Sequence, residues 1–428
     1  MPEKVYPGPD NIHRQVLDNG IIVLVYENFS AASVVIQGVV RAGALSEGRE
    51  NAGLADFVAD MLMRGTQKRS FADIYEALES VGAGLDFEAG RHVTEFSAAG
   101  LAEDLDLILD LLADVLRHPT FPAEEVEQVR GEIMTDLQIR ASDTRRMAGL
   151  RFRELLYDDH PYGYSLHGYP ETVMALTRED LIDFHEERYG PQQMIVSVVG
   201  AVAAEDAVGR VEAALGDWAN GAWISPPEVP PAARPVVKLQ EYISIPDKTQ
   251  SDIVLGLPGP QRAVPDYLDL SMANTILGVF GMMGRLGNSV REKQGLAYYV
   301  YSRLQGGLGP SPWYVGTGVA PDKVAQATES ILQEIERMQR EPVSEEELED
   351  SKTYLTGSLP VSLETNAGLA GAISEIELLE LGLDYLQRFP DLINEITLQR
   401  VQAAAEKYWS TTQIAVAVAG PPLVEAEG

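Results

Sequence analysis

The sequence contains no cysteine. That excludes disulfides, thiolate metal sites and cysteine nucleophiles. It is also poor in positive charge: 33 Lys and Arg stand against 65 Asp and Glu, a formal net charge of −32. Nucleic-acid binding needs a basic surface to neutralise phosphate, so that class is excluded, and docking on anionic lipid is disfavoured for the same reason. A positively charged partner or substrate would instead be drawn to such a surface. No apolar run approaches the roughly 20 residues of a membrane-spanning helix. The opening MPEKVYPGPDN has neither a basic nor an apolar leader region, so no secretory signal is read there and the cytoplasm is the expected compartment.

What is present is apolar residues enough for packed cores, 45% of 428 positions, a length that calls for two or three domains. The stretch GAWISPPEVPPAARP at 221–235 carries Pro226, Pro227, Pro230, Pro231 and Pro235 and reads as an extended linker. It divides the chain into expected domains 1–220 and 236–428. The halves repeat weakly. EEVEQVRGEIMTDL (124–137) aligns with EELEDSKTYLTGSL (346–359), and each follows a long helical stretch, 101–119 and 321–341. Each half opens with strand-like sequence. RQVLDNGIIVLVYEN (14–28) holds an Asp18-Asn19-Gly20 turn before a β-branched run, and SAASVVIQGVVRAGA (30–44) follows; SDIVLGLPG and WYVGTGVAP fill that role in the second half. The halves close alike, with QMIVSVVGAV (193–202) and QIAVAVAGPP (413–422). Strands at both ends of each half, around several helices, predict two α+β domains of like fold, each an antiparallel sheet with helices packed on one face.

The segment GLADFVADMLMRGT (53–66) places Asp56 and Asp60 four apart, on one face of an apolar helix. Paired carboxylates on such a face repel each other and resist burial. They are expected either to stay solvated, to pair with an arginine such as Arg41 or Arg64, or to hold a cation.

Three stretches carry a family resemblance: VRAGALSEGRENAGLADFVADMLMRGT (40–66), HPYGYSLHGYPETVMALTREDLIDFHEERYGPQQMIVSVVG (160–200) and GRLGNSVREKQGLAYYVYS (284–302). In this order they resemble the M16 metallopeptidases, the group of pitrilysin, insulin-degrading enzyme and the mitochondrial processing peptidase. The family's catalytic helix carries His-x-x-Glu-His, two zinc ligands one turn apart and a base between them. Here the matching positions read Asp56, Ala59 and Asp60, and the later ligand position falls on Asp136, with Val129 one stretch earlier. None of the six histidines falls in the motif. If Asp56, Asp60 and Asp136 converge, an oxygen-only set suits Mg²⁺, Ca²⁺ or Mn²⁺ better than zinc, and Ala59 leaves no general base. No metal is expected in this chain.

The resemblance implies more for the second half. Arg291 and Tyr298 in VREKQGLAYY match the pair that, in the family, binds the substrate backbone and steadies the oxyanion opposite the zinc. A guanidinium and a phenol are fixed donors suited to that charge. Gly295 should end the helix in a left-handed conformation, leaving Arg291 on its last turn and Tyr298 at the start of a strand, with Tyr299 facing away. Upstream, Gly278, Gly281, Gly284 and Gly287 in LGVFGMMGRLG resemble a reduced form of the glycine-rich loop of the non-catalytic processing-enzyme chain, with Gly281 and Gly284 as substrate-binding candidates.

The resemblance therefore implies a non-catalytic, substrate-binding subunit of a two-chain peptidase. The partner chain would carry His-x-x-Glu-His and the zinc, and unfolded peptides would be the substrate. The alternative is a structural or peptide-holding homodimer of the same fold.

Overall fold

The computed structural model describes residues 6–279 and 284–423. Asp18-Asn19-Gly20 turns the chain between β1 (His13–Val16) and β2 (Ile22–Glu27), with Gly20 at φ +93°. β3 (Ser33–Val40), β4 (Gly84–Ala89), β5 (Thr94–Leu101) and β6 (Ile195–Gly200) complete a six-stranded sheet ordered β1-β2-β6-β3-β5-β4. The second sheet takes β7 (Leu239–Ser244), β8 (Ser251–Pro258), β9 (Ala297–Leu304), β10 (Pro312–Val319) and β11 (Ala415–Gly420), ordered β7-β11-β8-β10-β9. Apart from β1 the two orders are the same, so the repeat seen in sequence is a repeat of topology. Each sheet is antiparallel except for one parallel pair, β2 with β6 and β11 with β7. β6 and β11 each return after a long helical excursion, which is what lets a strand insert beside the first one in parallel.

Alternation decides what covers each face. On β3, Val34, Ile36 and Val40 join the first core with Phe57 and Met61 of helix Leu54–Met61, Ile108 and Leu112 of helix Leu105–Arg117, and Val208 and Val211 of helix Ala204–Leu215. Fully burying each such side chain contributes about 1.5–3 kcal/mol. The other face of this sheet is not left open. Helix Asn366–Leu378, from late in the sequence, lies on β3 and β6. Its Asn366 Nδ2 donates to Ser33 Oγ at 3.2 Å, and a Cβ on Gly371 would come within 3.2 Å of Gln37 Oε1. In the second sheet, helix Thr144–Tyr157 covers β8 and β11, while Trp313 Nε1 donates to Asn274 Oδ1 at 2.9 Å on the opposite face. Helices thus pack on both faces rather than one.

These exchanges make two compact units that interleave along the chain. One takes the chain up to Leu137 with Ser165–Glu228 and Ser358–Phe389; the other takes Gln138–Tyr164, Val229–Gly357 and everything from Pro390 on. One crossing, Glu228 to Val229, falls inside the proline-rich stretch. The other crossings arise because the apolar faces of helices Thr144–Tyr157 and Asn366–Leu378 each pack on the sheet built by the other half. Among the described residues no helix is long and apolar enough to cross a membrane.

Candidate functional site

Helix Leu54–Met61 starts at a tight crossing of two glycines. Gly53 has φ +98° and Gly168 φ +68°; a Cβ on Gly168 would lie 2.3 Å from the Ala52 carbonyl oxygen. Only two bare backbones fit there, and the fit seats the 165–168 loop on the helix N-terminus. Thr172 Oγ1 donates to the same Ala52 oxygen at 2.7 Å. The helix is capped from outside its own first turn. Glu47 Oε1 accepts from Gly53 N at 3.0 Å and Oε2 from Ala55 N at 2.8 Å, so a carboxylate takes two of the helix's orphan amides at its positive end. Burial pushes the Glu47 carboxyl up to about 8, against those two hydrogen bonds and the charge of Arg91.

Asp56 meets a histidine that the motif alignment set aside. His167 Nδ1 lies 2.7 Å from Asp56 Oδ2. Asp60, one turn on, reaches solvent along its outer side. Partial burial and then repulsion from Asp56 push its carboxyl up to about 7, opposed by His167 and Arg64. The arginines named from sequence are engaged elsewhere: Arg64 Nη2 binds Glu132 Oε2 at 2.7 Å, and Arg41 Nε donates to Gln193 Oε1 at 3.3 Å. His167 is a closer match for Asp56 because the Gly53–Gly168 crossing delivers it there. Ala59 is buried, and Val129 belongs to the core. Asp136 sits half-buried on helix Ala123–Ser142 with contacts of its own. Asp56, Asp60 and Asp136 do not converge as a cation site: among the described residues no group of three or more His, Asp or Glu side chains could hold a metal. Zinc, which the family resemblance implies at this helix, does not fit. Both positions that carry imidazole in the family motif are hard carboxylates, Asp56 and Asp60, and the base position, Ala59, is a methyl group.

The second unit presents the other pair of candidates. The helical turn Gly287–Lys293 ends at a left-handed glycine: Gly295, at φ +61°, donates from its N to Arg291 O at 2.9 Å, and Leu296 N donates to Val290 O at 3.0 Å. Arg291 thus stands on the last turn, its side chain 36% exposed, and its Nε is 3.7 Å from Glu292 Oε1. Tyr298 follows at the start of β9, 82% exposed. The ladder explains that exposure. Tyr299 pairs with Gly318 and Ala297 with Val319, so Tyr298 is the unpaired residue of a β-bulge, a device that re-aims a side chain at a sheet edge. Tyr299 turns instead to Asp252, to which its phenol donates.

Gly284 packs against the Gly278 backbone, where a Cβ would lie 3.0 Å from Gly278 Cα. Gly281 lies outside the described residues. A cavity of about 560 Å³ lies away from all these residues, lined by Asp106, Asp110, Arg117 and Arg210. Within it Arg210 pairs with Asp106 and Arg117 with Asp217.

Comparison with known proteins follows the same outline. A family model described as Insulinase (Peptidase family M16) matches residues 22–168, and one described as Peptidase M16 inactive domain matches residues 175–355. An uncharacterized zinc protease of Mycobacterium leprae is 29% identical over 424 residues, covering 98% of this chain and 94% of its own. The uncharacterized zinc protease YmxG of Bacillus subtilis is 26% identical over 413 residues, covering 96% and 98%. Among solved structures, a peptidase M16 inactive domain protein from Pseudomonas fluorescens matches with a TM-score of 0.89 at 25% identity, covering 97% of this chain and 99% of its own. A protease from Helicobacter pylori matches with a TM-score of 0.91 at 18% identity, covering 97% and 100%, a likeness of fold alone. The chain belongs to peptidase family M16.

Proposed function

We propose that this chain is the non-catalytic, substrate-binding subunit of a two-chain M16 zinc peptidase. The observation that carries the reading is the asymmetry between its two candidate sites. At the family's metal helix, Asp56 is hydrogen-bonded to His167 and Ala59 replaces the base. In the second unit, Arg291 and the bulged Tyr298 both reach solvent from a fixed turn and strand start. A partner chain with His-x-x-Glu-His supplies zinc and base. Arg291 and Tyr298 hold the peptide backbone and donate to the carbonyl oxygen as it gains negative charge. Unfolded peptides bind by adding a strand to an exposed sheet edge, and β4 and β9 are such edges. The net charge of −32 favours basic peptides.

The test is to co-express the chain with an M16 partner bearing His-x-x-Glu-His from the same genome, purify the complex and assay cleavage of unfolded peptides. The reading requires a stable pair, cleavage that needs both chains, and faster cleavage of basic than of acidic peptides. A chain that purifies only as a homodimer, beside a partner fully active alone, contradicts it.

A further inference from the structure

We infer that Tyr299 and Asp252 are positioning residues that fasten β9 across its neighbour and so fix the bulge presenting Tyr298. The inference rests on the subunit reading for its functional consequence, but not for its structural content.

Among the described residues β9 is an edge strand, bonded on one side only, to β10. A bulge interrupts a ladder, and an edge strand with an interrupted ladder is free to slip or fray. Here backbone pairing resumes immediately after the bulge, at Tyr299 with Gly318, and a side chain reinforces it there. Tyr299 on β9, Gly318 on β10 and Asp252 on β8 form one row across three strands. The middle position has to be glycine. A Cβ on Gly318 would lie 2.7 Å from Tyr299 Cε1 and 2.4 Å from Gln250 Nε2, so a side chain there would displace the ring that lies over it. Tyr301 repeats the arrangement over Gly316. With the space clear, the Tyr299 phenol spans β10 and donates to Asp252 Oδ1.

Asp252 is itself held. It is 2% exposed; its Oδ2 accepts from Thr144 Oγ1 at 2.5 Å, and Gln250 Nε2 donates to Oδ1 at 3.2 Å. Thr144 opens helix Thr144–Tyr157, so the carboxylate ties the edge strand to the helix covering the sheet. Arg145 lies over the Tyr299 and Tyr301 rings, 4.9 and 5.4 Å from their centroids. Burial, and then the neighbouring Asp252, hold the Tyr299 phenol far above its ordinary titration range, so it stays a proton donor. Of the three groups that donate to Asp252, the Tyr299 phenol thus belongs to the residue adjacent to Tyr298, while Thr144 opens a helix and Gln250 precedes β8.

The structural arm uses the full-length chain alone. Tyr299→Phe keeps the ring over Gly318 and removes only the donor. Amide exchange at residues 297–300 should then accelerate roughly tenfold or more, the scale of a lost hydrogen bond to a charged group, while the β8–β10 ladder stays protected. Asp252→Ala should do the same, and Tyr301→Phe should leave these amides unchanged. Unchanged exchange in Tyr299→Phe overturns the inference, whatever the chain's activity. The kinetic arm uses the peptidase pair with Tyr298→Phe, Tyr299→Phe and both together. Tyr299→Phe should lower kcat toward the Tyr298→Phe value with little change in KM, and the double variant should be no slower than Tyr298→Phe alone. Losses that multiply independently overturn the inference. Faster exchange combined with no effect of Tyr298→Phe on kcat instead locates the failure in the subunit reading.

Discussion

His167 Nδ1 lies 2.7 Å from Asp56 Oδ2, one turn before Asp60 on the helix where the family places its metal. An imidazole and a carboxylate bonded to each other leave no pair of soft ligands one turn apart. The purified chain should therefore carry well under one zinc per molecule by elemental analysis, with or without zinc in the medium. Stoichiometric zinc that survives dialysis would contradict this reading of the site.

The same pairing depends on two bare backbones. Gly168→Ala places a methyl group against the Ala52 carbonyl at a φ of +68°. The substitution should cost on the order of 2 kcal/mol or more, measured by denaturant unfolding. Gly295→Ala meets no atom within 4 Å at its φ of +61°, so it should cost only about 1 kcal/mol, from backbone conformation alone. Equal losses at the two sites would contradict the steric account of the Gly53–Gly168 crossing.

Titration gives a third check. Asp60 rises to about 7 and Glu47 to about 8 in the folded chain, well above their unfolded values. Between about pH 4.5 and those values the folded state holds protons that the unfolded state has released, so this contribution to stability is full in mild acid and is lost as pH rises toward 8. Asp60→Asn should raise the melting temperature at pH 8 relative to the parent, and the gap should close by pH 5. A gap that is the same at both pH values would contradict the raised Asp60 carboxyl.

Much of the frame was legible in the sequence. β2, β3, β6, β8, β10 and β11 are β-branched runs that end in turn residues, and the 222-residue offset between 124–137 and 346–359 is that of helices Ala123–Ser142 and Glu345–Ser362. β4 and β5 were not legible. GLDFEA and TEFSAAGL are rich in Gly, Ala and acidic residues, and they form strands because tertiary pairing overrides a weak local preference. The exchanged helices were not legible either, since amphipathicity shows that a face is buried but not against which sheet. At the site, the spacing gave the left-handed Gly295 and Tyr298 at a strand start, because both are local. The Asp56–His167 pair spans 111 residues and the Tyr299–Asp252 contact 47, so neither leaves a local trace. Glu47 as a remote cap has none in the sequence, and the bulge at Tyr298 shows only in strand register.

The most direct test is the Arg291→Ala variant in the purified pair with its zinc-bearing partner. A guanidinium that stabilises the developing oxyanion should, when removed, lower kcat on the order of 100-fold or more, while assembly and the partner's zinc content stay as they were. A kcat within about twofold of the parent, with the complex intact, would contradict the claim that this chain contributes to catalysis.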